Sequence, residues 1–175
     1  PLPSVNTWDY ADATTGATIL GSLKLGEINV SDIDILDKLT GMAGGSLGEV
    51  GSIALIIGFV YLLVTKVISW HIPVSIIATV GLFSWSIGAS PVIEILSGGL
   101  LLGAIFMATD YVTSPMCHRG MLLYGVMIGI ITVVIRQWGA YPEGMSFAIL
   151  IMNGFTPLIN KYIKPRRFGE RSVVK

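Results

Sequence analysis

Charge is scarce in this chain. Of its 175 residues 13% are charged and 53% hydrophobic, and mean hydropathy is +0.75. A water-soluble domain needs about a quarter of its residues charged, so that class is excluded. The apolar residues also come in long blocks rather than amphipathic stripes, which is how membrane spans read. Cysteine is almost missing. Cys117 alone rules out an internal disulfide, and rules out a zinc or iron–sulfur site built from this chain's cysteines alone. No charged–apolar–small signal sequence follows Pro1. The polar, acidic opening has nothing to export it, so further spans are expected upstream. No nucleic-acid partner and no metal site are expected.

The zero net charge hides an asymmetry. Residues 1–50 hold seven acids and two bases, whereas residues 51–175 hold nine bases and four acids. Six of those bases stand in the last fifteen residues: Lys161, Lys164, Arg166, Arg167, Arg171 and Lys175. Basic flanks stay in the cytoplasm, which places the tail inside. Residues 1–50 are polar, with a short helix expected from Ser31 to Leu39 behind a Ser31 or Asp32 cap.

Five apolar blocks follow, at residues 50–69, 73–87, 92–109, 121–135 and 146–163. Several fall short of the ~20 residues that cross a hydrocarbon core and must borrow flanking residues or sit in a crowded bundle. With five spans and the tail inside, residues 1–50 lie outside. Lys66, His71, His118 and Arg119 then fall on the cytoplasmic side. Arg136, at the outer end of the fourth span, breaks the rule. Gly99 with Gly103, and Gly125 with Gly129, have the small-xxx-small spacing that lets helices approach closely. The expected fold is an all-α integral membrane protein: an outer segment (1–49), a five-helix bundle (50–163) and a basic tail (164–175).

Chemistry concentrates in Asp12-Ala13-Thr14-Thr15-Gly16-Ala17-Thr18. It is a turn of small residues ending in a hydroxyl, with Gly16 free to bend and Ala17 presenting no bulk. A modifying enzyme could wrap such a segment and bring a phosphoryl donor onto Thr18. A plain solvated turn has the same composition, but the full pattern arises by accident in roughly one chain of this length in several thousand. The segment resembles the motif on which a flavin transferase moves FMN from FAD onto the final threonine. That resemblance implies FMN on Thr18 through a phosphoester, with Asp12, Thr15, Gly16 and Ala17 read by the transferase.

The rest of the chain resembles the D subunit of the Rnf complex, related to the B subunit of the sodium-pumping NADH:quinone reductase. The likeness lies in Gly45-Ser46-Leu47-Gly48-Glu49, Ser97-Gly98-Gly99 and the run from Ala108 to Pro115. It continues in Tyr141-Pro142-Glu143-Gly144, Met152-Asn153 and Thr156-Pro157-Leu158. It implies the second half of a ten-span, two-repeat subunit in a prokaryotic inner membrane. This chain would be an electron carrier rather than a complete catalyst, passing electrons while Na⁺ or H⁺ is moved. Implied partners are a second subunit with covalent flavin and iron–sulfur membrane subunits, and a riboflavin could sit in the preceding half.

Two acids are candidates for ion coupling. Glu94 is the only acid flanked on both sides by apolar membrane sequence, Val92-Ile93 before and Ile95-Leu96 after, and an intramembrane acid is costly enough to suggest function. It is equally an interface residue that reaches solvent or pairs with a neighbouring helix. Asp110, beside Thr109 and Thr113, could bind a cation with those hydroxyls or cap a helix end. Glu49 reads as an acid at a helix N-terminus. His71 and His118 read as interfacial polar residues, and Cys117 could ligate a group shared with a partner. Trp8, Trp70, Trp85 and Trp138 mark an aromatic belt; Trp8 and Tyr10 could also stack on a flavin. Against the electron-transfer subunit stand two other readings, half of an inverted-repeat carrier or channel and a structural anchor. Neither needs a flavin on Thr18.

Overall fold

A computed structural model describes residues 20–21, 51–97, 99–139, 141 and 143–163, and all regular structure among them is helical. Helix α1 is Ser52–Val64, α2 is His71–Ile87, α3 is Pro91–Leu96 and α4 is Leu100–Leu102. A π-helical turn, Gly103–Met107, continues α4, and α5 (His118–Trp138) and α6 (Met145–Tyr162) complete the order. The segment expected to form a helix at Ser31–Leu39 lies outside the described residues, as do Glu49 and the tail.

Local chemistry explains the ends. α2 carries Pro73 in its first turn, where no intrahelical N–H is required. It stops at Gly88, whose φ of 87° is left-handed; the Gly88 N–H donates to Trp85 O and the Ala89 N–H to Ser84 O. That is the paired closure of a glycine-ended helix, and it satisfies carbonyls left without a partner inside the helix. α3 begins with Pro91, its φ already helical.

The third apolar block differs from expectation. It is not one helix. α3 ends at extended Ser97 (φ −118°, ψ 160°), Gly99 takes a left-handed φ of 63°, and only then do α4 and the π turn follow. Gly99 is thus part of a break, so the Gly99/Gly103 pair is not a helical packing motif. Gly103 does pack closely: a Cβ there would lie 2.6 Å from Met145 Cγ.

α2 and α5 form the centre, with α6 on the other side of α5. The core joins Ile72, Ile76 and Val80 of α2 to Tyr124, Ile128 and Val133 of α5 and Met145, Ile149 and Met152 of α6. Gly125 and Gly129 supply the close approach. A Cβ at Gly125 would collide with Ser75 Oγ, and one at Gly129 would meet Thr79 Cβ at 2.8 Å. α1 is peripheral: of its side chains only Ser52 is buried.

Large apolar side chains cover the outside, among them Ile57, Tyr61, Val64, Leu82, Trp85, Trp138 and Leu150. A bundle apolar both inside and out suits lipid rather than water. Among the described residues one helix, α5, is long and apolar enough to cross a membrane by length and composition. Its 21 residues span about 32 Å, whereas the 13 of α1 reach about 20 Å.

Candidate functional site

The break in the third block is held by a buried ion pair. Arg136, in the last turn of α5, is 4% exposed and Glu94 of α3 is 6% exposed. Arg136 Nη1 donates to Glu94 Oε2 at 2.8 Å and to the Glu94 carbonyl at 2.6 Å. Nη2 donates to the Ser97 carbonyl at 2.9 Å. On the far side of the carboxylate, Gln137 Nε2 donates to Oε1 at 3.2 Å. The last carbonyls of a helix have no partner within it. One planar guanidinium here engages two carbonyls where α3 unwinds and neutralises the acid beside them. Backbone irregularity away from water is tolerated where protein satisfies its polar groups in this way.

Glu94 therefore pairs with a neighbouring helix, and its partner is the base that broke the charge rule. Pairing with a neighbouring helix was one of the two readings of Glu94; the partner, 42 residues on, was not foreseen. Its signal was nevertheless present. The one acid inside an apolar block and the one base at the expected outer end of a block are exceptions of opposite sign.

Asp110 is exposed. It accepts from Thr113 Oγ1 at 3.2 Å, and its carbonyl accepts from the Ser114 N–H at 3.0 Å. Thr109 Oγ1 instead donates back to Ile105 O at 2.6 Å. The structure thus joins Asp110 to Thr113 in a turn, while the proton of the Thr109 hydroxyl is directed into the preceding helix. Asp12, Thr15, Gly16, Ala17 and Thr18 lie outside the described residues. Leu20, two residues after Thr18, is buried at 6% exposure, so the chain is anchored there.

The opposite end of α5 brings two histidines together. His71 opens α2 and His118 opens α5, and their rings meet edge to face at 4.6 Å, with Trp70 stacked on His71 at 4.2 Å. His71, in the connection ahead of the apolar part of α2, has its pKa lowered by burial and, second, by His118. α2 and α5 thus start at one end of the bundle, as expected for connections sharing a side. Along α5, eighteen residues separate His118 from Arg136, about 27 Å. Cys117, just before α5, is a free thiol, and no group of three metal-ligating side chains occurs among the described residues.

The model of the NQR2, RnfD, RnfE family matches residues 2–169. The chain belongs to the NQR2, RnfD, RnfE family. Among its relatives is the D subunit of the Na(+)-translocating ferredoxin:NAD(+) oxidoreductase complex of Acetobacterium woodii, 43% identical over 94% of this chain and 52% of that protein. The proton-translocating counterpart in Clostridium ljungdahlii is 40% identical over 96% of this chain and 56% of its own. The D subunit of the ion-translocating oxidoreductase complex of Stutzerimonas stutzeri is 37% identical, over 93% and 50%. The chain spans about half the length of these curated relatives.

Stretches that carried the likeness to this family pack around α5. Gly144 is buried beneath Ile135, where a Cβ would lie 2.8 Å from Ile135 Cβ. Asn153 accepts a hydrogen bond from the Tyr124 hydroxyl, and Asn160 accepts one from the Met116 N–H at 3.2 Å. Tyr111 bonds to the Val67 carbonyl. In this chain, polar side chains tie α5 to α6 and tie the connections between helices to α6 and to one another.

Proposed function

We propose that the chain is the flavin-bearing, membrane-embedded half of a D-type subunit in a redox-driven ion pump of the ferredoxin:NAD⁺ oxidoreductase kind. The buried Glu94–Arg136 pair at a broken apolar helix carries the transport part of this reading, because charge at membrane depth is rare without a transport role. The match over residues 2–169 supports it. The redox part rests on Asp12–Thr18, with FMN on Thr18 as a phosphoester and Asp12, Thr15, Gly16 and Ala17 as transferase recognition. When bound, the isoalloxazine supplies one- and two-electron chemistry, and the protein contributes tether and environment. Five spans over residues 50–163 would hold residues 1–49 outside an inner membrane and the basic tail inside. Glu94, and after it Asp110, are the proposed ion-coupling acids. Partners would be iron–sulfur subunits and a second flavin-bearing subunit of the same complex, with riboflavin in the preceding half.

A broken helix with a buried charge also suits half of an inverted-repeat carrier or channel. Thr18→Ala separates the two. In the assembled complex run on a denaturing gel, wild type should show flavin fluorescence on this subunit and Thr18→Ala should not, with assembly intact. Fluorescence that survives the substitution, or is missing from wild type, would sink the Thr18 assignment.

A further inference from the structure

Three oxygens converge on the guanidinium of Arg136. They are the carbonyls of Glu94 and Ser97 and the carboxylate Oε2 of Glu94, at 2.6, 2.9 and 2.8 Å. The carbonyls at a helix C-terminus carry negative partial charge, and here a full carboxylate is added. Away from water such a cluster requires a cation. In membrane carriers, the C-terminal ends of half-helices and unwound carbonyls are where coupling ions are held. α3 is such a half-helix, unwinding at Ser97 and Gly99, and the protein's own cation stands where an ion would stand. Each carboxylate oxygen accepts a hydrogen bond, one from Arg136 and one from Gln137, and the positive guanidinium repels a second cation from the same oxygens until it withdraws. Departure is geometrically simple. Arg136 is in the last turn of α5, two residues before Trp138, which is 67% exposed, and long basic side chains reach the interface from such positions.

We propose that Glu94 O, Glu94 Oε2 and Ser97 O form a site for an alkali cation of the Na⁺ kind, with Arg136 as its resident competitor. Arg136 is a positioning residue: it fills the site in the unloaded state, holding the break in α3 in shape, and withdraws when the ion enters. Gln137 keeps the carboxylate oriented through its other oxygen. The inference rests on the reading that this chain takes part in redox-driven ion transport, and adds to it the ligands and their gate.

The test uses the full complex in liposomes, with ferredoxin-dependent NAD⁺ reduction and ²²Na⁺ uptake measured across a Na⁺ titration. Arg136→Gln removes the competitor and should lower the half-saturating Na⁺ concentration about tenfold, the equivalent of ~1.4 kcal/mol. Arg136→Lys keeps a point charge but loses the fork that bridges several oxygens, so it should shift half-saturation the same way by a smaller factor. Glu94→Gln should abolish saturable Na⁺ dependence. A merely structural clasp would reduce the amount of assembled complex without moving half-saturation in what remains. Unchanged half-saturation per assembled complex in both Arg136 variants overturns the proposal, and if the Gln variant does not assemble the Lys variant decides. Wild type that pumps protons with no response to Na⁺ also overturns it. Failure of the underlying reading shows differently, as wild type with no redox-driven cation uptake at all.

Discussion

At the scale of single residues, Glu94 and Arg136 are expensive separately and tolerable together. Insertion scales charge about 2.5–3.5 kcal/mol for a lone ionised side chain at mid-membrane, and removing one member of a buried pair typically costs ~3–5 kcal/mol because the other is left bare. The two removals are not equivalent here. Among the described residues, Arg136 without the carboxylate still has the carbonyls of Glu94 and Ser97 to bond, whereas the carboxylate of Glu94 without Arg136 keeps the Gln137 amide. Arg136→Met should therefore lower the thermal midpoint of the purified complex more than Glu94→Gln, which differential scanning calorimetry can rank; the reverse order would mean that Arg136 is not the principal partner. Transport gives a second comparison. Glu94→Gln should depress ion uptake per electron transferred while flavin stays on Thr18. Glu143→Gln, in the connection before α6, should leave it unchanged. Equal effects from both would return Glu94 to a structural role.

At the scale of elements, glycine spacing was informative only in part. Gly125 and Gly129 are four apart on a straight helix and do bring α5 against Ser75 and Thr79 of α2. Gly99 and Gly103 have the same spacing, yet Gly99 is left-handed and lies in a break. The run Ser97-Gly98-Gly99 ahead of Gly103 is a local break signal that the stretch from Gly125 to Gly129 lacks, and Arg136, some forty residues on, bonds the carbonyls at the break. The blocks themselves were legible as apolar runs. The bonding of Arg136 at the break was not, and neither was the meeting of His71 and His118, since both depend on long-range pairing. Gly125→Val should therefore abolish stable assembly, measured as yield of complex, because a side chain would displace Ser75 at the centre of the helix pair. Gly154→Ala in α6 has open space around it and should be neutral or slightly stabilising, by up to ~1 kcal/mol. Destabilisation at both positions alike would point to helix flexibility rather than close approach.

At the scale of the whole molecule, two kinds of observation bear on orientation. Charge counting places the basic tail inside and the acidic first fifty residues outside. The helices add relative geometry: the His71–His118 contact puts the starts of α2 and α5 at one end, and the length of α5 puts Arg136 and Trp138 at the other. Together they fix a testable pattern. The native Cys117, next to His118, should react with a membrane-impermeant maleimide only when the cytoplasmic face is exposed, as in inverted vesicles. In a Cys117→Ser background, cysteine at Trp138 should react only from the opposite face. Cysteine at Ala17 should share the face of position 138, and cysteine at Val173 should share that of position 117. The comparison of 117 with 138 isolates the fourth span and that of 138 with 173 the fifth, whereas 17 against 117 reports the first three together. Labelling of positions 17 and 173 from the same face requires an even number of crossings, and the short α1 would then be the first helix to remove from the count. Labelling of 117 and 138 from the same face would be more damaging, since α5 is the helix whose length and apolarity meet the requirement without help from its neighbours.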